Sequence, residues 1–112
     1  MDLIGIAHIL EAELVCGPEQ WEHIKIETVF ASDLMSDVLM SDRDHMLLVT
    51  SLSTEQSVRS AGIVGAEAVI IANNKTVTEG MIELAKDQDI ALFRARAPKY
   101  ELCVRLGRVL EA

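Results

Sequence analysis

The chain has 112 residues, of which half are apolar, and it carries a formal net charge of −8. This length suits one domain with one packed core, and the acidic charge disfavours nucleic-acid binding, which needs clustered Lys and Arg. No apolar run approaches the roughly 20 residues that span a bilayer. We expect no leader sequence, because the chain does not begin with a basic segment followed by a long apolar run. The two cysteines stand alone at no metal-ligand spacing, so we expect a reduced, cytoplasmic protein without a metal or cofactor.

The first third of the chain predicts an αββ element that extends the main sheet. Asp2 is placed to cap a helix whose apolar stripe ends at Leu10. A strand is expected at Glu13–Cys16, before the Gly-Pro pair that breaks regular structure. Residues 24–31 alternate apolar and charged side chains in their first half, which favours a strand with one wet face.

A short helix is expected next, ahead of a polar connection. Ser32 or Asp33 is placed to cap this helix. Its periodicity predicts that Leu34, Val38 and Leu39 face inward.

The central part of the chain predicts a βαβ unit. The strand Met46–Thr50 is almost wholly apolar, as in strands covered on both faces. Ser53 and Gln56 have the spacing of a capping box, which predicts a helix from residue 54, and Gly65 is placed to end that helix. Ala68–Ala72 predicts the next buried strand.

The remaining sequence repeats this alternation of strand and helix. The polar turn Asn73–Lys75 leaves the second strand, and Thr76 and Glu79 form a second capping-box pattern. A strand at Ile90–Phe93 precedes a last helix with Pro98 in its first turn. The whole chain, residues 1–112, therefore predicts a single α/β domain of the three-layer type. Its sheet is mostly parallel, with βαβ units from residue 46 onward.

Polar side chains gather where the predicted parallel strands end, which is the edge at which open α/β sheets bind ligands. The candidate ligand-binding residues are Ser32, Asp33, Ser36, Asp37, Thr50, Ser51, Ser53, Gln56, Arg59, Asn73 and Lys75. Backbone N–H groups after Ser53 suit a small anion or a nucleotide, with Arg59 adding a charged contact. Helix capping and an ordinary polar turn are the alternative roles for these residues.

No catalytic residue is predicted. The three histidines are scattered, and neither GxxxxGK[ST] nor GxGxxG occurs in the chain. A small enzyme of phosphate or acyl chemistry, with Asp33 or Asp37 as its base, is the alternative from another class.

Several short blocks in order resemble the DRTGG domain family, from about residue 24 to the end of the chain. These blocks are Val29–Leu39, Leu47–Leu52, Gln56–Ala61, Ala68–Lys75, Glu83–Ala85, Ile90–Phe93 and Tyr100–Cys103. In the turn, Ser51 stands where relatives tend to carry glycine.

The resemblance implies an α/β accessory domain rather than a catalytic one. Related domains occur in some phosphate acetyltransferases and before the catalytic domain of HPr kinase/phosphorylase, and small stand-alone members also exist. We therefore expect a non-catalytic regulatory or ligand-sensing domain. Exposed strand edges and an apolar helix face favour a homodimer. A structural adaptor for a kinase-like or hydrogenase-associated partner is the alternative.

Overall fold

A computed structural model describes residues 1–110 and shows a five-stranded sheet with helices on both faces. The strands are β1 (Glu13–Cys16), β2 (Thr28–Ala31), β3 (Met46–Thr50), β4 (Ala68–Ile71) and β5 (Ala91–Arg94). The helices are α1 (Leu3–Leu10), α2 (Met35–Leu39), α3 (Glu55–Ile63), α4 (Glu79–Asp87) and α5 (Lys99–Leu110), with a 3-10 turn at Trp21–His23. Of the helices in residues 1–110, none has both the length and the apolar character needed to cross a bilayer.

The strands are ordered β1-β5-β4-β3-β2, and only β1 runs antiparallel to its neighbour. This confirms the predicted α/β fold and its mostly parallel sheet. The strands of the first third do extend this sheet, but they lie at opposite edges of it. β1 pairs with β5 at one edge, and β2 pairs with β3 at the other.

Alternate side chains of the central strands fill two separate apolar layers. Leu47 and Ile70 pack with α1 and α5 on one face, whereas Leu48 and Val69 pack with α2, α3 and α4 on the other. Every residue of β3 and β4 is buried, because both faces are covered. Burying each Leu or Ile contributes about 1.5–3 kcal/mol, so these two strands fix the core and the edge where they end.

Both predicted capping boxes are wrong, although both helices exist. Thr54 caps α3 by accepting from the Ser57 amide at 3.4 Å, and Thr78 caps α4. Ser53 lies one residue before the N-cap of α3, and its hydroxyl donates to the carbonyl oxygen of Thr76. Each helix therefore begins later than its capping box indicates. The predicted end of α3 is correct, since Gly65 has a positive φ of 72°.

The amino-terminal capping and strand predictions also need correction. Asp2 occupies the N-cap position of α1, but its carboxylate forms an ion pair with Lys25 and makes no capping hydrogen bond. The expected strand at residues 24–31 forms only over Thr28–Ala31. The preceding residues pair with the amino terminus instead, as the Ile26 amide donates to the Met1 carbonyl at 2.9 Å.

Helix α2 differs from its prediction in both its cap and its buried face. Its N-cap residue is Leu34, and neither Ser32 nor Asp33 caps it. Met35 and Val38 are its buried residues, whereas Leu34 and Leu39 are 58% and 45% exposed. Leu34 precedes the helix with an extended backbone, so helical periodicity does not place its side chain on the inward face.

The limits of the last strands and helix shift by one residue. β4 ends at Ile71, and β5 spans Ala91–Arg94. α5 begins at Lys99 immediately after Pro98, whose carbonyl oxygen accepts from the Leu102 amide at 3.1 Å. Boundary residues depend on individual hydrogen bonds, which periodicity does not specify.

Candidate functional site

Asp33 is the centre of a hydrogen-bonded group at the carboxyl edge of the sheet. It lies in the loop between β2 and α2, and its Oδ1 accepts from Thr50 Oγ1 at 2.9 Å and from the Ser51 amide at 2.6 Å. Its Oδ2 lies 3.0 Å from Nζ of Lys99, the first residue of α5. One carboxylate is therefore held by three donors from two different parts of the chain.

Thr50 anchors this hydrogen-bonded group in the protein core. It ends β3 and is fully buried at 0% exposure. Its hydroxyl donates to Asp33 and also accepts from the Leu52 amide at 3.1 Å. A buried hydroxyl that is satisfied as both donor and acceptor is costly to move, so it fixes the turn that follows β3.

Asn73 extends the same group to the end of β4. Its Nδ2 donates to Ser51 Oγ at 2.9 Å. Asn73 and Asn74 both adopt left-handed backbone conformations, with φ of 66° and 53°, which Asn tolerates better than most residues. We call Asp33, Thr50, Ser51, Asn73 and Lys99 the strand-exit network, since it links the ends of three adjacent parallel strands to α5.

The electrostatics of the network favour an ionised Asp33. Desolvation alone would raise the pKa of Asp33, but hydrogen bonds from the Ser51 amide, Lys99 and Thr50 outweigh it. The pKa of this carboxyl group is therefore lowered from its ordinary value. A carboxylate that has a lowered pKa and already accepts hydrogen bonds from several donors is a weak proton acceptor.

Four of the predicted site residues, Asp33, Thr50, Ser51 and Asn73, come together in this network. Ser32 and Ser53 lie in adjoining loops, but neither hydroxyl bonds to a member of the network. Ser32 Oγ accepts from the Leu34 amide at 3.0 Å, and Ser53 donates to the Thr76 carbonyl.

The other predicted residues take no part in the network. Arg59 points along its own helix toward Glu55, with Nη2 and Oε1 3.8 Å apart. The remaining four are exposed, namely Ser36, Asp37, Gln56 and Lys75.

Lys99 is the functional candidate that sequence reasoning missed. It is remote from Asp33 in the sequence, and no spacing rule connects the two. The sequence does place Lys99 shortly after β5. The segment after β5 emerges at the same edge of the sheet as the loops after β2 and β3, which was the signal that could have identified it.

Within residues 1–110, no group of three or more His, Cys, Asp and Glu side chains is arranged to hold a metal ion. Chemically, the network offers one amide, one hydroxyl and one ammonium donor around a single carboxylate. This set of donors recognises carboxylates and phosphates.

The chain matches no protein-family model and no curated protein sequence. The resemblance to the DRTGG family therefore stays a prediction.

Proposed function

We propose that the chain is a non-catalytic regulatory domain that senses a small anion at the strand-exit network. The observation that carries this proposal is the convergence of Thr50 Oγ1, the Ser51 amide and Lys99 Nζ on one carboxylate. These three donors are arranged to bind an anion, and the carboxylate of Asp33 occupies the position of that anion. An inorganic phosphate or the phosphate of a nucleotide has the same requirement for donors.

Sensing follows from competition between the ligand and Asp33. The Asp33 side chain is 45% exposed, so it can leave its donors without disturbing the apolar layers. Thr50 stays in place because it is buried. A bound anion would separate Lys99 from Asp33 and so uncouple the start of α5 from the loop before α2. The ligand thus favours a second arrangement in proportion to its differential affinity.

The same geometry favours binding over the small-enzyme alternative. Both oxygens of Asp33 are engaged, and its pKa is lowered. A general base works best with a pKa near the working pH, which this environment opposes. Asp37 is an exposed residue of a five-residue helix, without the surroundings that tune a catalytic carboxylate.

Thermal unfolding in increasing concentrations of inorganic phosphate and ATP tests the proposal. Asp33→Ala removes the competing carboxylate, so it should bind anions more tightly than the natural chain does. Lys99→Met should abolish binding. A ligand at 100 times its dissociation constant stabilises the folded state by about 2.7 kcal/mol, which is readily measured.

Asp37→Ala is the matched control, since it removes the same charge from an exposed position outside the network. It should leave anion affinity close to that of the natural chain. Equal gains in Asp33→Ala and Asp37→Ala would attribute the effect to net charge alone. No response of Asp33→Ala to either anion would refute anion sensing.

We further propose that the domain acts as a homodimer paired along β2. This strand is at the edge of the sheet, and the Thr28 and Ser32 amides donate inward, to His45 and Val49. Amides alternate in direction along a strand, so those of Val29 and Ala31 face outward. Unpaired edge groups of this kind can pair with another chain.

Sedimentation velocity at micromolar concentration tests the dimer. Ala31→Pro deletes an outward amide and keeps the inward hydrogen bonds of β2, so it should yield a folded monomer. Circular dichroism verifies the fold of the variant. A natural chain that sediments as a monomer would rule out this part of the proposal.

A protein-interaction adaptor is the second candidate, and a specific observation favours it. Leu34 and Tyr100 directly follow Asp33 and Lys99 in the chain and are 58% and 81% exposed. Exposed aromatic side chains beside a charged pair often anchor protein interfaces. Tyr100→Ala should weaken a partner complex and leave phosphate binding unchanged, which separates the adaptor from the sensor.

A further inference from the structure

A second charged site lies at the carboxyl end of β5, beside the turn between α1 and β1. It is a cavity of about 170 Å³ lined by Glu11, Glu13, Asn74, Arg94, Ala95 and Arg96. Its floor is rigid backbone, because the buried Ala95 donates to the Ile71 carbonyl and accepts from the Asn74 amide, both at 2.9 Å. The walls are charged side chains of both signs.

Three of these charges have no ion-pair partner among residues 1–110. Arg94 donates to Oδ1 of Asn74 at 3.2 Å and thus uses only part of its guanidinium. Glu13 is the register partner of Arg94 across the antiparallel pair. The third is Arg96, which is exposed at the mouth of the cavity. Two guanidinium groups and one carboxylate are therefore free to recognise a ligand of mixed charge.

A larger cavity of about 500 Å³ opens from the same place and shares Glu11 and Arg96 with the small one. Glu11 and the remaining charged residues of this cavity form ion pairs with one another, since Arg105 lies 3.6 Å from Glu11 and 3.7 Å from Glu101. Leu10 and Ala97 form the apolar part of the wall of this cavity. Among residues 1–110, Arg96 is therefore the one lining residue of this cavity whose charge has no ion-pair partner.

We propose that the two cavities together bind a free α-amino acid. Arg94 and Arg96 hold the carboxylate of the ligand in charge-assisted hydrogen bonds, and Glu13 accepts from its ammonium group. The larger cavity takes the side chain. A simple anion would meet the repulsion of Glu13, and a simple cation would meet two guanidinium groups, so a zwitterion fits the charges best. This site shares no residue with the strand-exit network.

Titration calorimetry with the twenty free L-amino acids at millimolar concentration tests the inference. At least one amino acid should bind, and its N-acetyl and carboxamide derivatives should not, because each lacks one of the two charges. Absence of binding by all twenty would overturn the proposal. Equal binding of the N-acetyl derivative would also overturn it, since Glu13 would then have no role.

Two variants locate the site. Arg96→Gln and Glu13→Gln should each weaken binding roughly tenfold or more, as expected for loss of a charged hydrogen bond. Both side chains are exposed, so thermal unfolding should show that each variant folds. Arg108→Gln removes a charge from the exposed last turn of α5 and should leave the affinity unchanged. Equal weakening by Arg108→Gln would place the ligand elsewhere and refute the site.

Discussion

Replacing Asp33 with Ala should destabilise the fold by about 2 kcal/mol. The change removes two hydrogen bonds to Oδ1 and the ion pair with Lys99. Each hydrogen bond contributes about 0.5–1.5 kcal/mol, and a half-exposed ion pair, screened by solvent, contributes about 0–1 kcal/mol. Water can reach the Ser51 amide in the variant, which keeps the expected loss in the lower half of the resulting range of about 1–4 kcal/mol.

Asp33→Asn separates the hydrogen bonds from the charge. An amide oxygen can still accept from Thr50 and Ser51, whereas the attraction to Lys99 is lost. We therefore expect a loss below about 1 kcal/mol, since exposed ion pairs contribute little.

The lowered pKa of Asp33 also predicts how the stability changes with pH. The folded state holds the proton less strongly than the unfolded chain, whose ordinary pKa is 3.8. The resulting stabilisation is fully present above that value and is lost as the pH falls through the lower folded pKa. The difference in stability between the natural chain and Asp33→Asn should therefore shrink in acid.

Urea unfolding followed by circular dichroism measures these differences at neutral and acidic pH. In thermal unfolding, about 1 kcal/mol corresponds to roughly 4 °C for a domain of this size. Asp37→Ala is the control, as its side chain lies outside the network. If Asp33→Ala and Asp37→Ala unfold at the same urea concentration, the network does not stabilise the fold and our reasoning about Asp33 is wrong.

Two further perturbations test the strand exits and the helix ends. Thr50→Val keeps the shape of the buried side chain but removes the hydroxyl. The variant loses the hydrogen bond that Thr50 donates to Asp33, and the Leu52 amide loses its acceptor. Calorimetry should show a loss of about 1–3 kcal/mol, and a neutral result would contradict the role given to this hydroxyl. Gly65→Ala should cost about 1 kcal/mol because its φ is 72°. Gly107→Ala, placed in open space on α5, should instead stabilise the chain by up to about 1 kcal/mol. Melting temperatures that shift in the same direction for both glycine variants would refute this distinction.

The sequence predicted the central strands well because their environment leaves few alternatives. Met46–Thr50 and Ala68–Ile71 are buried on both faces, so their continuous apolar character is itself the structural signal. The edge strand β2 was less predictable. The residues before it alternate like a strand, yet Ile26 packs in the core while its amide bonds to the amino terminus.

The helix caps and the contact of Lys99 with Asp33 were missed because they depend on residues that are remote in the sequence. Ser53 and Thr54 are both residue types that favour the N-cap position. In the structure, Ser53 donates to the distant Thr76 carbonyl, whereas Thr54 accepts from the Ser57 amide. In the same way, Asp33 does not cap α2, because its partners lie at the end of β3 and in α5.

These partners change where an anion is expected to bind at this edge. The first turns of α3 and α4 contain Glu55 and Glu79, and a carboxylate there offsets the positive end of the helix dipole. Free helix ends are therefore poor sites for a phosphate in this chain. Lys99 is the only positively charged member of the strand-exit network, and it is already paired with Asp33. An anion that binds here must displace Asp33, so binding and the release of α5 from the loop before α2 become a single event.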